Sequence, residues 1–174
     1  MRYEVTLDDD EWLYAASEGC RRNIDAISKG RVHGHKSLED GHHQGWFWDI
    51  NGACGERCVA KWLDVPWDGC FGDLGANDVA GLFEVRTTPG NQNPMCMHNK
   101  DKDGCLYIHV TGKGPMWIIQ GYLIGRKCKQ QEWWHDTPGP SKKPTGRPAF
   151  WVPQEDLNHD LDLLYKRFHQ RMTA

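Results

Sequence analysis

The chain has 174 residues and a formal net charge of −3, enough for one domain that buries roughly two-thirds of its unfolded surface. That balance excludes a protein that coats nucleic acid by charge alone, so DNA binding would need local basic patches or bound cations. No apolar run approaches the length of a membrane span, Met1–Val5 lacks the apolar region of a signal peptide, and the seven cysteines are odd in number and free of CxxC spacing. Reduced thiols and a cytoplasmic location are therefore expected.

Arg2–Thr6 alternates like a short strand. Thr6 or one of Asp8–Asp10 then caps a helix predicted to run to about Ser28, with acidic residues in the first turn, where the helix dipole favours them. Trp12, Leu13, Ala16, Cys20, Ile24 and Ile27 recur at helical spacing as an apolar stripe, and Gly30 ends the helix. Residues 30–49 read as a polar loop carrying His33, His35, His42 and His43. A second helix is predicted from about Asn51 through Leu63, its small Ala53, Cys54 and Ala60 suited to close packing against a sheet. Residues 64–77 are turn-rich.

Candidate strands follow at 78–80, 82–88, 95–98, 105–111 and 116–124, the alternation being clearest in Leu106–Val110. Residues 125–134 read as a short helix or an irregular segment, and 138–148 as a Pro/Gly/Lys-rich loop before a strand at Ala149–Val152. A closing amphipathic helix is predicted near Leu157–Met172, with Leu161, Leu164, Tyr165 and Phe168 on its apolar face. The expectation is a single α/β domain, a mixed central sheet flanked by helices.

The chemistry concentrates in Asn77–Thr88. Glu84 and Arg86 are two apart on a strand and share a face, while Gly81 supplies a turn that returns Glu84 towards Asp78. Two converging carboxylates make a hard-oxygen site for Mg²⁺ or Mn²⁺, to which the carbonyl of Val85 adds a further ligand. Arg86 is suited to stabilising charge on phosphate oxygens.

Asp78-x5-Glu84-Val85-Arg86 resembles the Asp…Glu-x-Lys signature of PD-(D/E)xK nucleases, with arginine in the lysine position. Gly52–Ala60 resembles the helix that gives these proteins a further acidic residue, here Glu56. The order GA-x-GE-x-x-VAKWL, DV-x-G-x-x-EVRT, YIHVTG, GYLIG and VP-x-x-x-L is similar to small phage-encoded members over roughly residues 50–160. The resemblance implies a restriction-endonuclease-like core and metal-dependent hydrolysis of DNA phosphodiesters. It implies Asp78 and Glu84 as metal ligands, Glu56 orienting a second metal or water, and Arg86 on the scissile phosphate. It also admits a homodimer. Arginine stays protonated at biological pH and cannot act as a general base, so a catalytically silent DNA- or protein-binding module on the same fold, such as a phage anti-defence factor, stands as the alternative.

Blander readings stand beside these. Glu84 and Arg86 make an ordinary same-face ion pair, Glu56 a solvated helix residue, and Cys54 with Cys58 alanine-sized packing. The histidine loop lacks the regular ligand spacing of a zinc site and reads as a polar loop, with a zinc-stabilised interaction protein as a further rival. Lys142, Lys143 and Arg147 form a candidate DNA clamp, and Arg126, Lys127 and Lys129 a second basic cluster. Gln120 is placed either at a base edge or metal-bound water, or as a satisfied strand residue. Trp133 and Trp134 suit stacking on bases or core packing.

Overall fold

The structure, a computed structural model, describes residues 2–31, 38–69, 76–137 and 147–173, with backbone only for 38–44. Strand β1 (Tyr3–Thr6) leads into helix α1 (Asp9–Ser28). Asp8 caps α1: its carboxylate accepts from the Glu11 amide, and the Glu11 carboxylate accepts from the Asp8 amide in return, a reciprocal capping box. Gly30 leaves the helix at φ 64°, a left-handed conformation that glycine adopts without steric cost.

Helix α2 runs Leu38–Trp62, so it starts well before the expected Asn51, and the later part of the expected polar loop is helical. The reason lies in α1. An added Cβ on Gly19 would sit 2.4 Å from the Ile50 Cα, so the two helices touch almost backbone to backbone. Asn23 Nδ2 also donates to Asp49 at 2.9 Å. This packing orders residues whose glycines would weaken an isolated helix.

The same contact reverses the expected orientation of α1. Its buried residues are Ala15, Glu18, Gly19, Asn23 and Ala26, a small and polar face that permits close approach. Leu13 and Ile24, expected inside, are 71% and 56% exposed.

The strands form two sheets where one was expected. Four strands lie in the order β1-β5-β4-β2, with β2 Phe83–Thr88, β4 Leu106–Gly112 and β5 Met116–Ile124. β2 and β4 are parallel, and the other pairs are antiparallel. A smaller antiparallel sheet joins β3 (Met95–Met97), β7 (Ala149–Val152) and β6 (Trp134–His135). Short helix α3 (Gly125–Cys128) follows β5, and α4 (Leu161–Met172) closes the chain. The class is mixed α/β.

One core lies between the helices and the four-stranded sheet, joining Ala53, Cys54, Cys58, Val59 and Leu63 to Val85, Ile108, Ile119, Leu161 and Phe168. The apolar face expected of α4 is the one buried there. A second core, with Met95, Met97, Tyr107, Cys128, Phe150 and Val152, lies at the smaller sheet. Trp134 packs on Phe150 at 4.7 Å between ring centroids, which is the core-packing reading of that tryptophan.

The helix-to-sheet approach is tightest at Gly55, where an added Cβ would lie 2.0 Å from the Thr87 Oγ1. Gly55→Ala is therefore expected to force α2 off β2 at a cost of about 1–3 kcal/mol. A thermal melt would read this as a fall of roughly 2–12 °C; an unchanged melting temperature would show that Thr87 yields without cost.

Candidate active site

The four residues singled out in sequence lie where α2 passes the start of β2. β2 is the edge strand of its sheet, so its outward amides have no neighbouring strand and need other acceptors. Asp78 supplies one: its Oδ2 accepts from the Val85 N–H at 2.7 Å. The turn that returns the chain is a tight hairpin in which Val79 and Phe83 exchange backbone bonds of 3.0 and 3.1 Å. Ala80 and Gly81 stand at φ 52° and 65°, and Asn77 Nδ2 braces the Gly81 carbonyl at 2.9 Å. Only Gly81 takes that conformation cheaply, which is how its position in the sequence marks the turn.

Along β2, Glu84 lies opposite Tyr107, Arg86 opposite His109 and Thr88 opposite Thr111. The expected shared face of Glu84 and Arg86 is therefore present. Val85 points the other way into the helical core, so the Asp78 carboxylate is tied to the backbone one residue beyond Glu84.

The carboxylates feel one another. Burial, then the nearby charges of Glu56 and Glu84, push the Asp78 carboxyl up to about 7, against the hydrogen bond from Val85. Glu56, 5% exposed, is also raised by burial, with Arg22 opposing the shift. Arg22 donates to both Glu56 oxygens at 2.6 Å and also to the Gly69 carbonyl. Both oxygens that a metal would use are thus taken by a guanidinium, and a solvated Glu56 is ruled out by its burial.

Arg86 has protein partners. It pairs with Asp101 at 3.0 Å, lies over the Tyr107 ring at 5.1 Å, and its Nη1 donates weakly to the Val85 carbonyl at 3.4 Å. Despite its own burial, the Asp101 charge holds its proton more firmly than usual. Glu84 does not pair with Arg86. It pairs with Lys102, whose Nζ stands 3.0 Å from Glu84 Oε1 and 3.0 Å from Asn77 Oδ1; the bond to Glu84 raises the lysine's proton affinity.

Among the described residues, no three His, Cys, Asp or Glu side chains gather in a metal-binding cluster. The donors nevertheless fit Mg²⁺ or Mn²⁺ of the kind held by one or two carboxylates, with water and substrate phosphate completing the shell. Asp78 is desolvated and repelled by two like charges, a cost that a divalent cation relieves. Asp78 and Glu84 are the residues that would hold it.

The other candidates separate. Gln120 is fully buried on its strand; its Nε2 donates to Thr111 Oγ1 at 2.6 Å, while its Oε1 is left without a partner among the described residues, so it is a buried strand residue but not the satisfied one expected. It joins buried Thr88, His109 and Thr111 on the face that carries Glu84 and Arg86. Cys54 and Cys58 are buried, and burial lifts the Cys54 thiol to about 12, which leaves it inert as a nucleophile. Lys129 ties down the Asn99 and Asp101 carbonyls and the Asp103 carboxylate at 2.9, 2.7 and 2.6 Å, a structural post. Arg147 is exposed. Lys142, Lys143, His33 and His35, and the side chains of His42 and His43, lie outside the described residues.

Sequence reading missed Arg22, Asp101 and Lys102. Arg22 sits mid-helix among other charges, and Lys102 in a charged loop, so neither position announces its distant partner. A cavity of about 900 Å³ lined by Arg2, His135, Trp151, Gln154 and His159 shares no residue with this group. No protein-family model matches the chain, and no curated protein or solved structure matches it. No described helix is long and apolar enough to cross a membrane.

Proposed function

We propose that this chain is a divalent-cation-dependent endonuclease that hydrolyses DNA phosphodiester bonds, of the PD-(D/E)xK kind that small phages encode. The observation that carries the reading is the Asp78 carboxylate bonded to the Val85 amide on the edge strand of the sheet, close enough to Glu84 to feel its charge. The Asp78 carboxylate is fixed at 2.7 Å to the amide next to Glu84, and Glu84 keeps 13% of its side chain exposed. A strand edge suits a polymer that must lie across a surface, where a small metabolite would take an enclosed pocket.

A bound cation would polarise the phosphate and lower the pKa of an attacking water. The residues do the rest. Asp78 is held by the Val85 amide, and Glu56, neutralised by Arg22, braces α2 behind it. Water oxygen forms a bond to phosphorus, the ester P–O bond breaks, and the leaving oxygen gains the proton that solvent receives from the water. Arg86 cannot take that proton, and its ion pair with Asp101 gives it a supporting place.

The test is cleavage of supercoiled plasmid and of labelled duplex, single-stranded and branched oligonucleotides with Mg²⁺, Mn²⁺ or EDTA. Cutting that needs the cation is expected. No cutting of any substrate, with DNA binding indifferent to metal, would favour the silent binding module.

A further inference from the structure

We infer that Lys102 is the catalytic cation of this site, the group that contacts the scissile phosphate in place of Arg86. The inference rests on the nuclease reading above. It starts from an inconsistency between sequence and geometry. The arginine in the lysine position of the motif is engaged by Asp101 and stacked on Tyr107. The cation beside Glu84 comes from a different segment, between β3 and β4, and reaches it at 3.0 Å.

The bland alternative is a surface ion pair, and 45% exposure of the lysine side chain fits one as far as it goes. An exposed pair between long side chains does not require a rigid base. This one has a base fixed on several sides. The Lys102 amide donates to the Tyr107 hydroxyl at 2.8 Å. The adjoining Asp101 receives Arg86, and Asp101 Oδ2 also accepts from the His98 amide at 2.8 Å. Lys129 grips the carbonyls of Asn99 and Asp101. Gly125 presses on the same turn from α3, where an added Cβ would lie 2.1 Å from the Lys102 carbonyl oxygen. The backbone is held while the ammonium reaches the Glu84 carboxylate. That is the arrangement preorganised electrostatic catalysis requires.

This division of labour also accounts for Arg86. Through Asp101 it fixes the turn that presents Lys102, so it is a positioning residue, and a planar guanidinium that pairs and stacks at once suits that task better than an ammonium. Lys102 acts as a charged donor. Its N–H groups bond the non-bridging phosphate oxygens as negative charge builds there, and no proton is transferred.

The experiment is steady-state cleavage by wild type, Lys102→Ala, Lys102→Arg, Asp78→Asn and the exposed-loop control Lys100→Ala, with melting curves and Mg²⁺ titrations of each. Lys102→Ala is expected to lose about 10²–10³-fold in kcat, the effect of removing one transition-state donor, with KM little changed and the melt close to wild type. Lys102→Arg should recover at least about a tenth of the wild-type rate, because it restores a charged donor; Lys100→Ala should match wild type. If Lys102→Ala melts early, Lys102→Met, which keeps the stem, decides instead. Undiminished cleavage by Lys102→Ala, or cleavage at lower Mg²⁺ demand, while Asp78→Asn is inactive would overturn the inference and leave the nuclease reading standing. Lys102 would then be a plug on Glu84. A wild type that cuts nothing would overturn both.

Discussion

Asp78→Asn is expected to abolish cleavage while making the metal-free protein more stable. The loss should be about 10³-fold or more, corresponding to the several kcal/mol a bound cation takes from such a barrier, and Glu84→Gln should match it. The gain in stability follows from the sign of the Asp78 shift. Its folded carboxyl is pushed up to about 7 by burial and by the charges of Glu56 and Glu84, whereas an unfolded aspartate titrates near 3.9. The folded state therefore binds the Asp78 proton more tightly than the unfolded chain. As pH rises from about 4 to about 7 the unfolded state gives up its proton first, and this site costs the fold stability. Above about 7 both states are ionised and the cost is constant. Asn removes it and keeps a carbonyl oxygen for the Val85 amide. In EDTA the variant should melt higher than wild type at pH 8, by about 2–4 °C for each kcal/mol of relief, and the difference should vanish near pH 4. A variant that is inactive and also melts lower at pH 8 would show that Asp78 serves the fold and not a cation.

What could be read from the chain was local. A cap for α1 among Thr6 and Asp8–Asp10, the Gly81 turn, the alternation of β4 and the apolar face of α4 are each set by neighbours within a few residues, and the structure has all of them, with Asp8 as the cap. The meeting of Asp78 with the start of β2 belongs to this class, since one hairpin accomplishes it. The apolar stripe of α1 misleads because periodicity defines a face without saying which face is buried. Ala15, Gly19 and Ala26 form a second, smaller face, and the close crossing at Ile50 chooses it. The smaller sheet was unreadable for another reason. β3 pairs with β7, which lies far along the chain, and three residues carry little alternation. The partners of the site are long-range as well: Arg22 reaches Glu56 from another helix and Asp101 reaches Arg86 from a loop. Such pairs leave no local pattern, although a carboxylate in a helix of small residues does imply a cation somewhere.

That implied cation yields the second large effect. Arg22→Ala would leave Glu56, 5% exposed, without the guanidinium that donates to both its oxygens at 2.6 Å. Removing one partner of a buried pair strands the other charge and typically costs about 3–5 kcal/mol, read here as a fall of roughly 6–20 °C in melting temperature. Burial already raises the Glu56 proton affinity against the opposition of Arg22 and, more weakly, of Trp67; without the arginine the larger opposition is gone and the carboxyl takes up a proton more readily still. The variant should therefore suffer most near pH 8 and regain much of its stability near pH 5, where a neutral Glu56 no longer needs a counter-charge. Arg22→Lys should fall between, because an ammonium cannot engage both oxygens in one plane. The double change Arg22→Met with Glu56→Leu should restore most of the stability, since apolar replacement of a whole buried pair is often neutral. Its nuclease activity then separates two roles for Glu56. Cleavage near the wild-type rate would make Glu56 and Arg22 a support beneath Asp78, whereas a stable, folded and inactive double variant would place the Glu56 carboxylate in the chemistry, with Arg22 as the cation it exchanges for metal.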